Sequence, residues 1–474
     1  MNPPKTTLGV IIGTRGFFNS SLAAEGRRQL LRQLESLGYD YVILPEAATP
    51  TGAVETLADA RRCAQLFQEQ RGRIDGIVVC LPNFGDELGI VNALSLARLE
   101  VPVLVQACDD DNDKVDVNHR RDAFCGKISV CNNLYQYGIP FTDTAWHTCA
   151  LGSAALARDL DSFARVCRVV KGLRRARIGA IGARPTAFQT MRASEKLLQA
   201  SGITVVTVDQ SDIFAAAGRI ANDRADLQQR LGEIREYGHI PKNIPAENVT
   251  RQAKYGLAVE DWMKANEIDC AGIQCWTSIQ QNYGCAACLT MSMLGERLIP
   301  CACEVDIAGV LSMYALVLAS GNPAAILDWN NNYAEDRGKC VCTHCSNYPR
   351  GFMGGPVEIS NLDVLGKTLG PENCFGAIKG KVKAGDMTYF RLSTDDGKGR
   401  IKSYVGEGRF TDDPYGMDGG IAVTEVPDLP RLLKFICRQG FEHHVAMVRG
   451  NWAPIISEAV TNYLGWELYQ HPAK

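Results

Sequence analysis

No stretch of these 474 residues is apolar for long enough to cross a bilayer. The longest apolar run, Ile307–Ala319, falls well short of the roughly 20 residues a spanning helix needs and reads as a buried helix. The N-terminus lacks the basic segment and extended apolar core of a secretory signal, so a cytoplasmic location is expected. There is no basic stripe interleaved with aromatics. With a net charge of −3, the chain carries no electrostatic footprint for nucleic acid. Glycine-rich phosphate fingerprints are missing as well. "GAIGARP" (Gly179–Pro185) follows a predicted strand but lacks the G-x-G-x-x-G spacing that brings pyrophosphate to a helix N-terminus. The acidic "DDDNDKVD" (Asp109–Asp116) has neither the glycine nor the distal glutamate of a calcium loop and reads as an ordinary loop. Histidine is scarce, with seven in all, so an adjacent pair attracts notice.

Cysteine, by contrast, is plentiful at 18. In a chain this long that does not indicate a disulfide framework, which belongs to short secreted domains. Several fall in predicted strands (Cys80, Cys270, Cys301), where a free thiol acts as a small hydrophobe in a reducing compartment.

The length predicts two or three domains. Residues 1–150 alternate short β runs (Leu8–Gly13, Tyr41–Leu44, Gly76–Leu81, Val101–Gln106) with helical periodicity, as a parallel sheet with helices on both faces requires. A second α/β unit is read over 151–350. From 351 to 474 the pattern becomes alternating strands with Gly/Asp turns. The expected fold is therefore α/β: two doubly wound parallel-sheet domains of flavodoxin or Rossmann type, plus a smaller β-rich C-terminal domain.

The chemistry centres on "IPCACEVDIAG" (Ile299–Gly309). Leu298–Cys303 reads as a buried strand with Glu304 at its carboxyl end, and Asp306 stands where it N-caps the helix Ile307–Ala319. That helix is expected to cross over to a parallel strand of the same sheet, Ala324–Leu327, which ends in Asp328. Strands Asp269–Ile273 and Cys340–Thr343 bring Gln274, Trp276 and His344 to the same rim, where open α/β sheets bind ligands. Two neighbouring carboxylates repel unless a cation separates them. Carboxylate oxygens with an imidazole suit Mn²⁺, or Mg²⁺, Fe²⁺ or Co²⁺. The imidazole is offered by His344 or by the pair His443–His444 in "FEHHVAMVRGN", of which strand alternation aims only one at the site.

"CACEVDIAGVLSMYALVLASGNPAAILDWNN", "VCTHCSNYP" and "FEHHVAMVRG" together resemble the L-fucose isomerase and L-arabinose isomerase superfamily, on its fucose isomerase-like branch. The resemblance implies a metal-dependent aldose–ketose isomerase that works on a monosaccharide through a cis-enediol. It implies Glu304 and Asp328 as metal-binding and catalytic carboxylates and His444, the second of the pair, as the third ligand. His344 becomes a fourth ligand or a hydrogen-bonding neighbour. Trp276, Gln274 and Asn451 become candidate sugar contacts. "GTRGFF" (Gly13–Phe18) resembles a family segment whose arginine reaches a neighbouring subunit's site, implying Arg15 as a contact in trans within a homo-oligomer, a trimer or hexamer. The cysteine density (Cys275, Cys285, Cys288, Cys301, Cys303, Cys345) departs from the family pattern and leaves the sugar unspecified.

Other readings compete. The same enediolate site serves an epimerase or a lyase acting on a sugar derivative. Cys285-x-x-Cys288, Cys301-x-Cys303 and Cys340-x-Cys342-x-x-Cys345 hold enough thiols for a zinc or iron–sulfur redox protein. A non-catalytic sugar-binding protein shares the N-terminal layout but has no need of the carboxylate–histidine set.

Overall fold

In the first 150 residues the short apolar runs become five strands, β1 (Thr7–Ile12), β2 (Asp40–Ile43), β3 (Gly76–Leu81), β4 (Val103–Ala107) and β5 (Thr142–Asp143). They form a parallel sheet in the order β2-β1-β3-β4-β5. β1 and β3 are buried at every position, as strands covered on both faces must be. The computed structural model describes residues 5–50, 52–345, 347–417 and 419–472. The described residues divide into two units, 5–171 with Glu458–Gly465, and Gly172–Ser457 with 466–472.

The second unit contains two sheets among the described residues. One is parallel, in the order β7-β6-β8-β9, built from β6 (Arg177–Ile181), β7 (Thr204–Val208), β8 (Cys270–Ile273) and β9 (Cys301–Ala302). The other is the β-rich portion, largely antiparallel, and it begins before residue 351. It contains β10 (Ala324–Asp328), β11 (Asn331–Tyr333), β12 (Asp336–His344), β13 (Glu358–Asn361) and β14 (Phe375–Lys381). β15 (Gly385–Asp395), β16 (Arg400–Phe410), β17 (Gly420–Glu425), β18 (His444–Arg449) and β19 (Glu467–Gln470) complete it. Its main path runs β10-β18-β15-β16-β17-β12-β11. The fold is thus α/β with two parallel sheets and an antiparallel region, as the sequence pattern predicts.

One expectation is overturned. The helix Ile307–Ser320 does not return the chain to the sheet it left. β9 lies at the edge of the parallel sheet, whereas β10 pairs antiparallel with β18 in the other sheet. The helix is apolar around nearly its whole circumference and buried at twelve of its fourteen positions, so it needs cover on every side. It finds that cover by packing between the two sheets, against β8 and β9 on one side and β10, β15 and β18 on the other. Glu304 and Asp328 therefore belong to facing layers.

Candidate functional site

β9 is only two residues long, and the chain turns at once through a 3₁₀ turn, Cys303–Val305. Within it Glu304 (φ 56°) and Val305 (φ 54°) both take left-handed backbone. For a β-branched residue this is a real outlier, of the kind retained where geometry matters more than local stability. The turn lies directly on β8: a Cβ on Gly272 would come within 2.9 Å of Val305 Cα. Glycine at 272 is what permits that approach.

The turn leaves Glu304 only 3% exposed. Its Oε1 accepts hydrogen bonds from Trp276 Nε1 (3.0 Å) and Cys275 Sγ (3.3 Å). Its Oε2, buried, accepts none. Burial, with Cys345 close by, raises the Glu304 carboxyl above its usual range.

Asp328 ends β10 directly opposite His444, which begins β18; the two are register partners. Asp328 Oδ1 is likewise buried without a hydrogen bond and lies 3.4 Å from His444 Nε2. His344, ending β12, brings its Nε2 to 3.2 Å from His444 Nε2. Glu304 Oε2 is 3.6 Å from each of these two nitrogens. An unpartnered oxygen of each carboxylate thus approaches the imidazole nitrogens; the Asp328, His344 and His444 donors all lie within 4.8 Å of one another, a group that does not include Glu304.

The two rings are not equivalent. His444 Nδ1 lies 2.8 Å from Asp306 Oδ2, which holds the proton on Nδ1 and leaves Nε2 as a lone pair directed inward. His344 Nδ1 accepts the Cys345 backbone N–H at 2.9 Å, so the neutral ring carries its proton on Nε2. His444 is set up as a ligand and His344 as a donor. His443 is less buried, with Nε2 3.9 Å from Asp328 Oδ1. Burial and the neighbouring His444 lower its pKa. It also lines a cavity of about 610 Å³ together with Trp329, Asn330, Lys339, Phe441 and Glu442. The donor set fits a hard or borderline divalent cation: oxygens without donors, and an imidazole whose far nitrogen is tied to a carboxylate.

Behind His444 stands a charged cluster that periodicity gave no reason to expect. Asp306 caps the helix through Gly309 N (2.8 Å), as its position predicts. It also accepts from both terminal nitrogens of Arg391 (2.5 and 3.0 Å), a fully buried arginine whose Nε reaches Glu442 (3.1 Å). Burial alone would raise the Asp306 pKa; Arg391 and His444 outweigh it and hold the carboxyl far below the usual range. Glu442 precedes the histidine pair in "FEHHVAMVRG" but nothing in that motif singles it out, and Arg391 lies in a strand with no motif around it, so only the register of β15 brings Arg391 here.

Other predicted residues make contacts of their own. Gln274 Oε1 accepts from Ala183 N (2.9 Å), fastening the loop after β6. Asn451, exposed, reaches Asp386 at 3.4 Å. Arg15 belongs to the first unit, where it pairs with Glu87 and lies 4.2 Å from the Phe84 ring centroid. Phe188, unremarkable in the sequence, sets its ring edge-on to both Trp276 (5.4 Å) and His443 (5.6 Å). Four cysteines gather beside Glu304: the Cys345 thiol interacts with those of Cys275, Cys288 and Cys303. Burial pushes the Cys275 and Cys303 thiols well up. The cysteine spacings in the sequence instead group Cys288, Cys303 and Cys345 with Cys285, Cys301, Cys340 and Cys342, which lie outside this set.

Residues 9–174 match the family model for the fucose/sulfoquinovose isomerase N-terminal domain, and residues 342–471 match that for the L-fucose isomerase C-terminal domain. A sulfoquinovose isomerase of Priestia aryabhattai is 26% identical over 386 residues, covering 80% of this chain and 82% of that protein. The sulfoquinovose isomerase of Priestia megaterium matches to the same extent. One from Alkalicoccus urumqiensis is 28% identical over 311 residues, covering 64% of this chain and 67% of its own.

Proposed function

The chain belongs to the L-fucose isomerase-like superfamily, and from that premise we propose that this sugar isomerase interconverts an aldose and its ketose with a divalent cation held by Glu304, Asp328 and His444. The observation that supports the reading best is the convergence of Glu304 Oε2 and Asp328 Oδ1, both without hydrogen-bond donors, on His444 Nε2. A divalent ion bound there supplies Lewis-acid polarisation of the sugar's carbonyl and adjacent hydroxyl. Mn²⁺ is the first ion to test, followed by Mg²⁺, Fe²⁺ and Co²⁺.

The remaining work falls to side chains. Trp276 and Cys275 anchor Glu304 Oε1, so Oε2 is the free oxygen. Buried beside His344 and His444, this carboxylate suits a group that must take the C2 proton and return it to C1 of a cis-enediol. Asp328, arriving from the opposite layer, shares that transfer from the other side. His344 donates from Nε2 to a sugar oxygen. Phe188 and Trp276 present ring surface to the sugar and exclude water.

The relatives' name makes sulfoquinovose, a sulfonated hexose, the first substrate to assay, with fucose and arabinose for comparison. The reading carries with it a cytoplasmic homo-oligomer, a trimer or hexamer, in which Arg15 serves a neighbouring copy; size-exclusion with light scattering tests that part. The decisive experiment incubates the purified protein with each sugar and Mn²⁺ in D₂O. Ketose formation with deuterium at C1 or C2 supports the proposal. Deuterium exchange without ketose would redirect it to an epimerase or lyase, and no exchange with any sugar would end it.

A further inference from the structure

Sulfur gathers beside Glu304. Cys303 Sγ, Cys345 Sγ, a Glu304 carboxylate oxygen and a His344 ring nitrogen all lie within 4.8 Å of one another. They come from two segments, the turn after β9 and the end of β12, which belong to different sheets. A simple core of small hydrophobes does not account for the grouping. Cys303 receives a hydrogen bond from the buried Asn347 Nδ2 (3.4 Å), and Asn347 Oδ1 is itself buried without a partner.

We propose that this group is a second cation site, selective for a thiophilic divalent ion such as Zn²⁺. Two thiolates, one carboxylate and the His344 imidazole, offering the Nδ1 lone pair that otherwise accepts the Cys345 backbone N–H, make a four-donor set that suits tetrahedral zinc, with ligands about 2.0–2.3 Å from the ion. The same set is a poor one for Mn²⁺ or Mg²⁺, which favour oxygen. Binding balances simply: the ion enters, two thiol protons leave to solvent, and nothing is oxidised or reduced. Cys275 and Cys288, in contact with Cys345, serve as its outer shell.

Glu304 and His344 also belong to the site described above, so one ion at a time can command them. Thiophilic and oxygen-loving cations therefore exclude each other. That exclusion rests on the proposed isomerase reading; the existence of the sulfur site does not.

The test uses the whole chain, reduced and metal-free, titrated with Co²⁺, whose bonds to thiolate give an intense near-ultraviolet charge-transfer band. The wild type is expected to show the band at one Co²⁺ per chain and to lose it when Zn²⁺ is added. Asp328→Asn, which leaves all four donors in place, should keep it. Cys303→Ser and Cys345→Ser, singly and together, should lose it while circular dichroism stays unchanged. Co²⁺ bound without a thiolate band, or a band that survives in the double variant, overturns the proposal. If the double variant misfolds, the single Cys345→Ser, at the less buried position, decides the outcome. A failed isomerase assay leaves these spectra untouched, so the two readings stand or fall separately.

Discussion

Asp306 Oδ2 and His444 Nδ1 lie 2.8 Å apart, both residues almost wholly buried, joining residues 138 positions apart in the chain. The carboxylate fixes which nitrogen of His444 faces the site. Asp306→Asn should therefore weaken Mn²⁺ binding by about 10–100-fold, the usual effect of removing such an orienting group. Calorimetric titration of the metal-free protein measures it; an unchanged affinity would mean Asp306 is only a helix cap.

The same Asp306 answers to Arg391, and Arg391 to Glu442. Arg391→Met leaves two carboxylates buried without their counter-charge. A loss of roughly 3–5 kcal/mol is expected, read from urea unfolding. A loss below about 1 kcal/mol would show that water reaches this cluster.

Linkage gives that pair a pH signature. The Asp306 carboxyl is depressed in the folded state, so its contribution is complete above its unfolded pKa of about 3.9. It is lost as pH falls below that value toward the folded one. The melting-temperature gap between wild type and Asp306→Asn should be constant at neutral pH and shrink on acidification below about pH 4. A gap that widens with acid contradicts the sign.

Gly309 is squeezed by this cluster: a Cβ would meet Asp306 Oδ2 at 2.2 Å and Arg391 Nη1 at 2.7 Å. Gly309→Ala should cost on the order of 1–3 kcal/mol through overpacking and lower turnover with it. Gly232, helical and with nothing within 4 Å of its Cβ position, is the control. Alanine there should be neutral or stabilise by about 0.4–1 kcal/mol.

Glu304→Gln and Asp328→Asn should each reduce turnover by roughly 10²–10⁴-fold while the folded structure persists by circular dichroism. Near-wild-type rates in either variant would remove that residue from the mechanism.

What could be read from the chain alone was whatever local pattern encodes. The continuous apolar runs of β1 and β3 mark buried parallel strands, because strands covered on both faces have no polar side. Asp306 could be recognised as a helix cap from position and chemistry alone. Glu304, Asp328, His344 and the histidine pair stood out because carboxylates and imidazoles at the ends of apolar segments are costly to leave unpaired. Pairing partners were beyond reach. Whether the helix Ile307–Ser320 returned to its own sheet or crossed to another depended on what surface remained to cover its apolar circumference, which no window of sequence records. The tertiary structure alone decided that Asp328 stands opposite His444, that Arg391 reaches Asp306, and which four cysteines gather at Cys345. Each of those contacts joins distant segments whose register is set by packing of the whole.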